Sequence, residues 1–402
     1  MAMMIALRFL LSCECKKTEM TGAKDRDACD EASSVGVIGS VAGMWAMRQA
    51  LLSKNERPAP DTMRSTRGED AMRIVEDHMS PGVSSSRYVP DFVDECMRRG
   101  LADWTSTDGV WTHAASGVRI RQCSASSSSL PREEHAQQRK VIEFILDFLT
   151  VLVRHAERPP SFPREIVIAT LACDVPRRFP AEKGVPLGPE NVNAGVCTFT
   201  SDTVRHVLVY RAQHAQKVLM HEIIHACNVG AAVSGSPAVA IAERDIMRSL
   251  RYASASGGGL HMDEAYTEIL ACHAHMFWRV TWEAAVRGDH DAGSVHESWL
   301  KHALYAAWDA ERRLYMAVCR AIVDHFRPSL MRERTHVMSY FFAKAALWDS
   351  SLDEVPALIV REHEAECFAR LYRSRLLSDE FWAGIAAVPA SEVPATPLMT
   401  RV

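Results

Sequence analysis

The sequence predicts an α+β protein, with a small mixed sheet over a buried helix and a mainly helical C-terminal subdomain. Three observations predict it. Runs rich in β-branched and apolar residues fall at 164–171, 193–199 and 206–210, each bounded by turn residues. Apolar helical spacing occurs around them, with Val141, Ile145, Phe148 and Leu152 on one stripe and a largely apolar helix at about 212–229. From Phe277 onward the pattern is almost wholly helical, with long periodic stretches at 296–326, 336–348 and 360–376.

At 402 residues the chain is long enough for two or three domains or one large domain with extensions, and 48% of it is hydrophobic. A net charge of −4 carries no sign of nucleic-acid binding. No run of 18 apolar residues occurs, so no membrane span is expected. The 11 cysteines are scattered and contain no C-x-x-C, which fits reduced core residues in an intracellular, cytoplasmic setting. Residues 1–13 look briefly like a signal segment. Yet no basic residue precedes the apolar part, and Arg8 interrupts it.

Composition suggests the divisions. Residues 1–70 read as a variable N-terminal and linker region. Residues 71–134 read as a small unit, with helical periodicity at 89–101 and a hairpin at 110–121, closed by a Ser-rich linker. Residues 135–275 form the metal-binding domain, 276–387 the helical subdomain, and 388–402, with three prolines, a flexible tail.

The stretch that carries chemistry is Lys217-Val-Leu-Met-His-Glu-Ile-Ile-His-Ala-Cys-Asn228, which contains His221, Glu222 and His225 as H-E-x-x-H. Residues four apart share a helical face, so both imidazoles reach one metal ion. Two neutral imidazole nitrogens suit zinc. Glu222, one position along, is placed to take a proton from a water bound there. The surrounding apolar run, Val218 to Met220 with Ile223 and Ile224, argues for a buried helix in which an unpaired His or Glu would be costly. The bland alternative is a chance pattern on a solvated face.

The order helix, strand, loop, short strand, strand, H-E-x-x-H helix over residues 140–275 resembles the zincin metallopeptidases. The resemblance implies a peptidase acting on a protein or peptide substrate with zinc as cofactor. It also implies an edge strand at Asn193, Ala194, Gly195 and Val196 that binds extended substrate by strand addition.

A catalytic zinc usually takes a third protein ligand. Position 231 is Ala and 228 is Asn, which excludes the metzincin pattern, and no aspzincin-type motif occurs. A downstream Glu, as in gluzincins, remains. Glu264 and Glu268 share one face of the helix that follows Gly257 to Gly259. Glu264 is assigned as the ligand. Glu268 is assigned as a residue orienting a ligand His, or as the alternate ligand. Asp263, His261, His273 and His275 are rivals. In the helical part His336, Tyr340 and Lys344 form one polar stripe, which faces either solvent or the cleft. By the gluzincin resemblance, Tyr340 or His336 would donate a hydrogen bond to the oxyanion. The rival to an enzyme is a catalytically inactive scaffold or interaction protein of the same fold.

Overall fold

The computed structural model describes residues 89–90, 92–93, 109–124, 132–154, 162–173, 175–251, 260–286, 297–326, 335–348 and 362–397. Expectations that fall elsewhere, including the N-terminal segment and most of the 89–101 helix, lie outside the described residues.

The chain is α+β. A five-stranded mixed sheet runs in the order β1-β2-β3-β5-β4, where β1 is Gly109–Thr112, β2 Arg119–Ser124, β3 Glu165–Cys173, β4 Gly195–Phe199 and β5 Val204–Arg211. The two outer pairs are antiparallel; β2, β3 and β5 are mutually parallel. Parallel neighbours need a crossover. The β2–β3 crossover is helix α1, Arg132–Arg154. Its expected stripe is buried at Val141, Ile145 and Phe148, while the side chain of Leu152 lies outside the described set.

Side chains alternate across β3 with period two. Ile166 and Ile168 point into the main core with α1. Val167, Ala169 and Leu171 point the other way, toward Val93 and Phe92. Among the described residues β4 is an edge strand, because β5 is its sole neighbour in the sheet order. It follows a short helix α2, Pro189–Val192, with Pro at its first turn.

The helix after β5, α3 (Ala215–Ala226), is buried on nearly every side, from Lys217 to Ile224. It ends at Asn228, which adopts φ 53, a left-handed conformation that Asn tolerates. Two shorter helices, α4 (Ala231–Ser234) and α5 (Pro237–Ser249), lead to the long α6, Met262–Val286, which packs across α3. Then come α7 (Glu297–His325), a π-helical turn at Met338–Ala343, α8 (Lys344–Trp348), α9 (Glu362–Leu376) and α10 (Asp379–Ala387).

Two expectations are corrected. The 110–121 hairpin does not belong to a separate unit ending at 134. β2 pairs with β3 along its whole length, Arg119↔Glu165 to Ser124↔Thr170, because its apolar face completes the sheet. Among the described residues Ile223, Val318 and Phe381 share one continuous cluster, so the C-terminal helices pack on the same core as the H-E-x-x-H helix. The 336–348 stretch is not a uniform α-helix but opens with the π turn.

Candidate metal centre

α3 and α6 cross so that three side-chain atoms meet. His221 Nε2 lies 3.0 Å from His225 Nε2. Glu264 Oε2 lies 3.1 Å from His225 Nε2 and 3.6 Å from His221 Nε2. The rings of His221 and His225, one turn apart, sit edge to face with centroids 4.7 Å apart. A tetrahedron with zinc-type bonds has edges of about 3.3 Å. The three separations bracket that length, and the donor set of two imidazoles and a carboxylate suits zinc, so these residues could hold one ion.

Glu268, one turn beyond Glu264 on α6, is fully buried. Its Oε2 lies 3.0 Å from His221 Nδ1, the ring nitrogen turned away from the cluster. The same carboxylate accepts from Lys217 Nζ, and Lys344 Nζ donates to Oε1 at 3.0 Å. Both lysines are buried as well. Burial opposes ionisation of Glu268, but Lys217, Lys344 and His221 outweigh it and hold its carboxyl well below the usual range. Glu268 therefore orients His221 and is tied off from the cluster.

For Glu264, burial is likewise outweighed by His225, His221 and His336, which hold it ionised. Burial pulls His221 down, yet Glu264, Glu268 and Glu222 outweigh it and raise it to about 9. The pocket thus attracts positive charge.

Glu222 lines the same cleft of about 360 Å³. Burial is the main cause that pushes its carboxyl up. A carboxylate with a raised affinity for a proton suits a general base. Gly195 faces it from β4: an ideal Cβ at Gly195 would meet Val218 Cγ1 at 2.7 Å and Glu222 Oε1 at 3.0 Å. The missing side chain is what lets the edge strand approach α3 so closely.

The expected edge strand begins two residues later than its expected start at Asn193. Asn193 caps α2, and its Oδ1 accepts from Thr335 Oγ1 at 2.9 Å. Ala194 is buried, and its carbonyl accepts from the backbone N–H groups of Tyr210 and Arg211. Of the three, Gly195 is the one that belongs to the edge strand; Asn193 also lines the cleft, and Ala194 does not line it.

The stripe His336, Tyr340, Lys344 does not face solvent. Tyr340 and His336 line the cleft, and Lys344 is buried on Glu268. The Tyr340 ring stands 5.9 Å from that of His221. His336 stacks on Tyr340 on one side and on His261, at 4.3 Å, on the other. Its Nδ1 is 3.9 Å from Glu264 Oε1. Burial, then Glu264 and Glu222, push the Tyr340 phenol well above its ordinary value, so it remains a donor. A π turn places Tyr340, and such turns recur at functional sites.

The rival ligands do not join the triad, although Asp263 lines the same cleft. His261 is occupied by its stack on His336, and Asp263 lies 3.9 Å from His261. The His273 ring packs on Trp348 and its Nδ1 contacts the Ile269 carbonyl at 2.8 Å, while His275 is buried outside the cleft. Sequence reasoning missed the role of Lys217, although it stands one turn before His221 on the same face and a buried lysine there demands a carboxylate. It also missed Arg177, for which no local signal exists.

No protein-family model, curated protein or solved structure matches this chain.

Proposed function

We propose that this protein is a zinc-dependent peptidase of the gluzincin-like zincin type. The observation that carries the reading is the meeting of His221 Nε2, His225 Nε2 and Glu264 Oε2, with Glu222 beside them at the foot of a strand edge that no described residue pairs with. The mixed sheet with an antiparallel edge strand above the H-E-x-x-H helix is the arrangement that reading expects.

His221, His225 and Glu264 would hold the ion. Bound zinc would supply a Lewis acid that polarises a carbonyl and makes its water more acidic. Glu222 would serve as the general base that accepts a proton from the attacking water and returns it to the leaving amine. β4 offers backbone groups along Gly195–Phe199 to an extended substrate. Tyr340 donates to the developing oxyanion, with His336 stacked behind it. Glu268, clamped by Lys217 and Lys344, keeps His221 presenting Nε2 to the cluster. The described cysteines are thiols, in keeping with a reducing, cytoplasmic setting. Among the described residues no helix is long and apolar enough to cross a membrane.

Purified protein should contain about one zinc per chain by elemental analysis, and a chelator should abolish hydrolysis of a peptide library. Glu222→Gln should keep the zinc and lower turnover by roughly 10²–10⁴-fold. Unchanged turnover in that variant sinks the assignment. Stoichiometric zinc with no turnover in the native protein would instead leave a non-catalytic interaction protein, and no zinc would remove both.

A further inference from the structure

Beneath the start of β4 lies a second, smaller cavity of about 30 Å³. It shares Asn193, Gly195, His221, Glu222 and Tyr340 with the main cleft, so the two spaces adjoin at the site of chemistry. Its far wall is Arg177, which is 1% exposed. Arg177 Nε donates to the Val192 carbonyl at 2.6 Å, which fixes the guanidinium plane. Its Nη1 is buried and has no hydrogen-bond partner among the described residues.

A buried charged donor without an acceptor is costly, and buried guanidinium groups are normally paired with carboxylates. Arg177 makes no ion pair among the described residues. Its close neighbour in charge is another cation, Arg211, whose Nε is held by the Asn193 carbonyl. Burial and then Arg211 push the Arg177 guanidinium down to about 10. Glu268, which also lines the cavity, is bonded to Lys217 and Lys344. The wall therefore sets Arg177 and Lys217 against Glu222 and Glu268, with Lys217 already bonded to Glu268, and the Arg177 Nη1 donor is left without an acceptor among the described residues.

We propose that Arg177 receives a substrate carboxylate next to the scissile bond, making this a peptidase selective for an acidic group at that position. The cavity suits a carboxylate head on a short stem. The group is either an Asp or Glu side chain or a free C-terminus. A guanidinium with one N–H fixed on the protein and another unclaimed offers the directed donor that carboxylate recognition uses. The inference rests on the peptidase reading and supplies its substrate class.

The test uses zinc-loaded full-length protein and peptide pairs that differ only by Glu against Gln beside the cleaved bond. A third peptide carries Gln throughout and is compared as free acid and as C-terminal amide, which separates the two sources of the carboxylate. In the native protein kcat/KM should favour one acidic member by about tenfold or more, mainly through KM. In Arg177→Met that ratio should fall to about one. No acidic preference in the native protein, as when water alone fills the cavity, overturns the inference; so does a preference that survives in Arg177→Met. If Arg177→Met fails to fold, Arg177→Lys must lower the ratio, because it keeps charge but loses the fork, and an unchanged ratio overturns the inference. Binding of the same dye-labelled pairs to Glu222→Gln by fluorescence anisotropy reads selectivity without turnover. Discrimination without native hydrolysis would fail the peptidase reading alone. Hydrolysis without discrimination would fail this inference alone.

Discussion

Glu268 shows what one buried side chain can control. It accepts from two buried lysines on two different elements and faces the ring nitrogen of His221 that points away from the cluster. Removing one partner of a buried ionic group strands the others. Glu268→Ala should therefore cost about 3–5 kcal/mol in urea denaturation and weaken zinc binding by roughly 10–100-fold. A loss under ~1 kcal/mol would show that the lysines find other partners. Gly195 acts by having no side chain. A methyl group there must displace Val218 or Glu222, so Gly195→Ala should destabilise by about 1–3 kcal/mol. Because Glu222 is one of the two displaced groups, hydrolysis should suffer more than stability, which steady-state rates beside a melting curve would reveal.

At the scale of elements, α6 must start in the right place for Glu264 to reach α3. Its first residue, Met262, donates its backbone N–H to Glu243 Oε1 of α5 at 2.7 Å, which satisfies one of the helix's orphan donors. Burial pushes Glu243 up to about 7, above its ordinary value of 4.5. Between those values the folded protein binds the proton more tightly than the unfolded chain. Stability from this group is thus present below pH ~4.5 and declines as pH rises toward 7. Glu243→Gln keeps the acceptor oxygen and removes the charge. It should leave stability near pH 5 almost unchanged and raise the melting temperature at pH 8 by a few degrees, about the effect of ~1 kcal/mol. Equal effects at both pH values would show that Glu243 titrates normally. Element scale is also where much of the site was legible beforehand. The spacing of His221 and His225 implied a shared face, and Glu264 with Glu268 implied another. Which carboxylate would point at the imidazoles depended on how α6 rotates against α3, which spacing alone does not contain.

For the whole molecule, one core joins the sheet, helix α3 and the C-terminal helices. Several histidines are buried in it or partly buried against it. His214 and His275 are pushed down to about 3 and His273 to about 4, in each case by burial first. The folded form keeps them neutral while the unfolded chain protonates them near 6.5. Their contribution is present above pH ~6.5 and is lost as pH falls toward the folded values. Urea midpoints should accordingly drop from pH 7 to pH 5, and His275→Leu should flatten that slope. An equally steep slope in the variant would assign the acid sensitivity to other groups.

The one-dimensional pattern determined the α+β class, the burial of the H-E-x-x-H helix, the 110–121 hairpin and the helical character beyond 277. Each follows from local periodicity, and periodicity survives in a string of residues. Tertiary structure alone decided that the hairpin joins the central sheet, that β4 starts at Gly195, that Lys344 turns inward onto Glu268, and that Arg177 lies beside α3. These depend on which elements become neighbours. Lys344 and Arg177 are ordinary surface residue types by composition. Only the meeting of segments far apart in the chain gives them buried partners, or leaves a buried donor without one.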